Sequence, residues 1–150
     1  MKQYLNGKVS VQEIENLKSR DGFSLTSFSR LETPTAELTF FPFGEPIHSI
    51  TLVTFKVGEM PVIRGNHVHN QKDEYLYIMS GQFKGKYIDL DTNESLVLDL
   101  KKGDLIHVLP NCSHAYMAQE DASFLEFTPT KLTSWDSLVS EVAKNPTDFD

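Results

Sequence analysis

An all-β domain, either a sandwich or a barrel, is the fold class this sequence predicts. Three observations carry the prediction. Short runs of β-branched and aromatic residues, many alternating with a period of two, fall at 23–31, 36–43, 49–57, 64–70, 74–79, 82–89, 94–100, 104–109, 114–119 and 124–127. Turn residues punctuate them about every 8–12 positions, as at Phe43-Gly44-Glu45-Pro46, Ser80-Gly81, Asp91-Thr92-Asn93 and Lys102-Gly103-Asp104. No stretch between these runs has both the spacing and the length of a helix, which disfavours a doubly wound sheet.

The two ends read differently. Ser10-Val11-Gln12-Glu13 has the spacing of a capping box, and Val11, Ile14 and Leu17 recur at helical intervals, predicting a helix over about 10–19. The strands then follow in order through a core at about 22–128. Trp135, Leu138, Val139 and Val142 form a second helical stripe, with Thr133 or Ser134 as cap and Asn145-Pro146 as stop, predicting a helix over about 134–145. No repeat or linker divides residues 1–150, so one domain is expected.

Composition narrows the function classes. The chain has 150 residues, 39% apolar and 23% charged, ordinary for a folded domain. With 14 basic and 21 acidic residues its net charge is -7, which repels nucleic acid and anionic membrane surfaces. The single cysteine, Cys112, excludes an intrachain disulfide and fits a reducing compartment. The first residues lack the apolar segment of a signal peptide, and no run is long enough to span a bilayer. A cytoplasmic protein is expected.

The chemistry-bearing residues are histidines. On a strand, His67 and His69 point to one face at roughly 6.5–7 Å, close enough to share an ion at about 2.0–2.2 Å from each nitrogen. A polar turn, Asn70-Gln71-Lys72-Asp73, leads to Glu74, whose face of the next strand also carries Leu76 and Ile78. A carboxylate among apolar side chains is costly unless paired or bound to metal. Two histidines and a carboxylate suit iron, manganese, nickel, zinc or copper. Asp73 is an alternative carboxylate. His48 and His107 read as structural or surface residues, and Cys112 as a small turn or core residue.

These residues carry a resemblance. The pattern His67-x-His69-x4-Glu74-x6-Gly81 is similar to the first motif of the cupin superfamily, and Gly103 to His114, with Pro110 before the histidine, resembles the second. The resemblance covers roughly residues 50–128. It implies a double-stranded β-helix, the cupin or jelly-roll barrel, in which His67, His69, Glu74 and His114 hold one divalent transition metal. The chain departs from the pattern at Pro61 and Ala118 and in the turn before His114, one residue shorter than usual with Cys112 in place of glycine. Association into homodimers is common in that family.

Arg64-Gly65-Asn66-His67 resembles the opening of sugar-modifying cupins, where the arginine holds an anionic or carbonyl oxygen. Arg64 is therefore a candidate substrate-binding residue, with Tyr87 and Tyr116 on an inner wall that also takes Phe83 and Phe127. The resemblance implies an isomerase or epimerase acting on a small sugar-like or hydroxy-carbonyl substrate. Alternatives on the same residues are a mononuclear iron dioxygenase, a non-catalytic binding or sensor module, and a metal-free nucleotide-sugar isomerase. In the metal-free ketoisomerases the position of Glu74 is more often glutamine, so glutamate favours a metal. No catalytic residue is assigned.

Overall fold

The computed structural model describes residues 1–150. In chain order its strands are β1 (Lys2–Tyr4), β2 (Val9–Glu13), β3 (Asn16–Leu17), β4 (Ser29–Glu32), β5 (Glu37–Phe40), β6 (Ser49–Phe55) and β7 (Val62–Val68). There follow β8 (Glu74–Ser80), β9 (Gln82–Asp89), β10 (Ser95–Lys101), β11 (Asp104–Val108), β12 (Cys112–Ala118), β13 (Ala122–Thr128) and β14 (Leu138–Val139). They form a six-stranded sheet in the order β1-β2-β11-β8-β13-β6, a five-stranded sheet in the order β10-β9-β12-β7-β14, and a small sheet β3-β4-β5. Every pairing is antiparallel except β3 with β4. The two large sheets face one another in a jelly roll, with no ladder closing them into a barrel.

Alternation along the strands builds the layers. Leu76 and Ile78 of β8, Ile106 and Val108 of β11 and Phe124 of β13 meet Phe83 and Tyr87 of β9 and Tyr116 of β12 in one core between the sheets. The opposite residues do not face solvent either. Tyr77, Leu105 and Phe127 are covered by Ile14, Phe28, Phe41 and Phe43. Ala115 and Met117 are covered by Val142, Ala143 and Phe149. Phe127, expected on the inner wall, thus lies on the outer face of its sheet. Phe124 takes the inward position on β13, and one residue of register separates the two faces.

The all-β class holds, but neither expected α-helix forms. Short 3-10 turns do lie near the ends, at Leu5–Gly7, Arg20–Gly22 and Pro146–Phe149. The 10–19 segment is instead β2 and β3. Val9 and Val11 alternate as strand residues, and β2 is sandwiched between β1 and β11, so ladder bonds on both edges outweigh the capping-box signal. The 134–145 segment runs extended. Most of its apolar stripe finds no groove: Trp135 is 89% and Val139 96% exposed, and of the stripe only Val142 is buried. Leu138 and Val139 pair instead with Val68 and His67 of β7. No helix is long and apolar enough to cross a membrane.

Candidate metal centre

The site begins with an irregularity in β7. His67 pairs with His114 of β12, but the next pair is Gly65 with Ala115, so Asn66 is an extra residue in the ladder. Gly65 and Asn66 carry the bulge at φ 104° and 52°. A Cβ on Gly65 would stand 3.0 Å from the His114 carbonyl oxygen and 3.1 Å from Ala115 Cα, so only glycine fits. The bulge leaves Arg64, opposite inward-facing Tyr116, on the same face as His67 despite their odd separation.

After His69 the chain turns through 70–73 into β8, where Glu74 starts the inward row with Leu76 and Ile78. His114 arrives from β12 after the Pro110–Asn111 turn. The left-handed residue of that turn is Asn111, at φ 62°, a conformation asparagine tolerates. Glycine is therefore not needed at Cys112, a strand residue buried in the core. Burial pushes the Cys112 thiol up to about 12, so it is no nucleophile near neutral pH.

These strands bring the four expected ligands together. One donor atom from each of His67, His69, Glu74 and His114 lies within 4.8 Å of the others. His114 Nε2 is 3.0 Å from Glu74 Oε1, and His69 Nε2 is 3.4 Å from Glu74 Oε2. His69 Nε2, His114 Nε2 and Glu74 Oε2 are nevertheless buried without a correctly directed hydrogen bond. Such atoms are expensive to leave unsatisfied. The other ring nitrogens are fixed: Nδ1 of His114 donates to the Cys112 carbonyl at 3.0 Å, and Nδ1 of His69 donates to the Asp136 carbonyl. A carbonyl only accepts, so each Nδ1 carries the hydrogen and each Nε2 of the neutral ring turns a lone pair to the centre.

Burial lowers the His69 ring, but Glu74 and the Asp136 carbonyl outweigh it and raise His69, so its lone pair faces the centre only once the ring is neutral. Burial, then the neighbouring His114 and His69 rings, push His67 down to about 4, leaving it neutral at physiological pH. Burial alone would raise Glu74, but His114 and His69 reverse this and hold it well below the usual carboxylate range. Lys72 adds a cation, its Nζ 3.3 Å from Glu74 Oε2 and paired also with Glu126. Burial and the Glu74 charge raise Glu126 in turn.

The cluster floors a cavity of about 820 Å³, within the usual range for small-molecule sites. Arg64, Tyr116, Lys72, Glu126, His48 and the 132–137 segment line it. Arg64 is exposed on the wall. Tyr87 stands behind the wall, fully buried, donating to the Tyr116 hydroxyl at 3.2 Å. His107 lies elsewhere, stacked on Tyr75 with ring centroids 4.1 Å apart and paired with Asp73. Asp73 therefore points away from the cluster. Sequence reasoning missed Glu126, Lys72, Asn66 and Asp136. Glu126 had a signal, since it shares strand parity with Phe124. Asp136 had none, because its partners at 69–72 are remote in sequence.

No protein-family model matches the sequence, and no curated protein matches it. Solved structures do. A variant of the 3,4-ketoisomerase QdtA from Thermoanaerobacterium thermosaccharolyticum, in complex with TDP-4-keto-6-deoxyglucose, superposes with a TM-score of 0.64 at 17% identity, over 89% of this chain and 88% of that one. A 3,4-ketoisomerase from Helicobacter canadensis gives 0.64 at 13% identity, over 88% and 90%. The 3'-monoepimerase ChmJ from Streptomyces bikiniensis, in complex with dTDP-quinovose, gives 0.64 at 11% identity, over 89% and 69%. At these identities the likeness establishes the architecture, and the chain has the cupin-like jelly-roll fold.

Proposed function

We propose that His67, His69, Glu74 and His114 hold one divalent transition metal. We further propose that the cavity above them isomerises or epimerises a small sugar-like hydroxy-carbonyl substrate. The observation that carries the reading is the set of three buried donor atoms without hydrogen-bond partners, a carboxylate oxygen and two ring nitrogens whose rings are tied on the far side to backbone carbonyls. Around an ion at about 2.1 Å, donors stand about 3.0–4.2 Å apart. The present spread of up to 4.8 Å closes with a small adjustment of side chains. Three imidazoles and a carboxylate suit the first-row ions already named. The similar structures include a ketoisomerase and an epimerase solved with nucleotide-sugar ligands, which supports a sugar substrate.

A bound ion supplies Lewis-acid polarisation of a carbonyl or hydroxyl oxygen. The chain supplies the rest. Arg64 on the wall holds an anionic or carbonyl oxygen through its fork of donors. Glu126, presented to the cavity from β13 and braced by Lys72, is placed to take and return the proton that an isomerisation moves. Tyr116 offers a hydroxyl on the same wall, oriented by the Tyr87 hydroxyl behind it.

Lys72 favours a second reading. Its ammonium already stands beside Glu74, and the same cluster without an ion does acid–base chemistry as a metal-free isomerase. Elemental analysis of protein purified without added metal separates the two. The metal reading expects close to one transition ion per chain, lost in His67→Ala. Metal-free protein that interconverts keto-sugar nucleotides, with activity unchanged by chelator, overturns it.

A further inference from the structure

Residues 132–143 form a strap that lines the cavity at 132–137 and then runs along β7, and one residue of it meets the proposed centre twice. The backbone carbonyl of Asp136 accepts from His69 Nδ1. Its carboxylate accepts from the backbone N–H groups of Asn70 at 3.1 Å, Gln71 at 2.7 Å and Lys72 at 2.9 Å, the turn that leads from His69 to Glu74. These donors have no ladder partner, so the turn relies on a side chain more than sixty residues away. Beyond Asp136 the strap is held independently, by β14 against β7 and by Asn66. Asp136 therefore sits at the one point where the strap grips the ligand-bearing turn itself.

We infer that Asp136 is a positioning residue of the site: its carbonyl selects which nitrogen of His69 faces the cluster, and its carboxylate sets the turn that spaces His69 from Glu74. Without the carboxylate, β14 keeps the strap near, but nothing pins the carbonyl against the imidazole. His69 then samples the opposite tautomer, whose Nε2 carries a hydrogen and presents no lone pair to the centre. The effect on metal affinity rests on the metal reading above; the effect on the tautomer does not.

Two measurements on the full chain test this. In metal-free, 15N-labelled protein, held at a pH where the ring is neutral, long-range imidazole spectra assign the His69 tautomer. The wild type is expected to hold one form, protonated at Nδ1. Asp136→Ala is expected to show both forms, with exchange of the Nδ1 hydrogen about tenfold faster or more. Asp136→Asn keeps one acceptor oxygen and falls between them; it carries the test alone if the alanine protein does not fold. Titration with Co2+, followed by visible absorption, is expected to show affinity weakened about 10–100-fold in the alanine variant. Far-UV circular dichroism checks that the fold is kept. An unchanged His69 tautomer and exchange rate in both variants overturns the inference, as does unchanged Co2+ affinity in a wild type that binds the ion. A wild type that binds no Co2+ removes the metal reading instead, and the tautomer spectra then decide the inference on their own.

Discussion

At His69 and His114 the same device recurs: a ring nitrogen spent on a backbone carbonyl leaves its partner facing inward. Glu126 is the residue whose chemistry is most exposed to test. Glu126→Gln keeps shape and removes the base, so turnover is expected to fall about 10²–10⁴-fold with metal content unchanged, as read by steady-state kinetics beside elemental analysis. Gly65 makes a second single-residue prediction. An alanine there meets backbone, not a flexible side chain, at φ 104°. Gly65→Ala is expected to cost about 1–3 kcal/mol in a urea melt and to disturb the His67–His114 pairing. His67, His69 and Glu74 were legible in the sequence, because alternation and a short turn are local rules. His114 was legible through its surrounding pattern. Asp136 was not, since its meaning lies entirely in remote donors.

Among elements, the strap is the one the sequence concealed. Trp135, Leu138, Val139 and Val142 have helical spacing, but only Val142 of these is buried, and the segment gains its hydrogen bonds from β7. Asn66 is the clasp: its Oδ1 accepts from Val142 and Ala143, and its Nδ2 donates to the Ala143 carbonyl. Asn66→Gly preserves the left-handed backbone and removes all of these bonds. It is expected to speed proteolytic nicking of 132–143 about tenfold or more while the core strands stay intact, as limited proteolysis with mass spectrometry reads. Acid should loosen the strap's far end separately. Backbone N–H groups of Asn145 and Lys144 hold Asp148 below its ordinary 3.8. A depressed folded-state value means that its contribution is present above 3.8 and is lost as pH falls through the lower folded value. Amide exchange at Lys144 and Asn145 is expected to rise there, freeing Phe149 from its buried seat.

For the molecule as a whole, the cluster exists only in the folded chain. Its residues come from β7, the following turn, β8 and β12, in two different ladders. A ligand that binds only this assembled form stabilises it by mass action, by about 2.7 kcal/mol at a hundred times its dissociation constant. On the metal reading, adding the ion should raise Tm by roughly 5–10 °C, and His67→Ala should abolish the rise in a calorimetric scan. The two-sheet architecture was legible from strand periodicity and turn spacing. The covering of both outer faces was not, because segments such as 28–43 reveal what they cover only in three dimensions.

The bulge in β7 has a meaning in terms of chain length. Residue 66 is, in effect, an insertion. Deleting it would join Gly65 to His67, restore an uninterrupted ladder, and still leave Arg64 and His67 on one face, because two-residue spacing then does what the bulge does now. What would disappear is the clasp at 142–143, leaving β14 and the Asp136 contacts to hold the strap beside His69. The cluster-bearing strand and this clasp are thus separable by a single codon. Proteins of this fold that lack the extra residue are expected to lack this clasp as well.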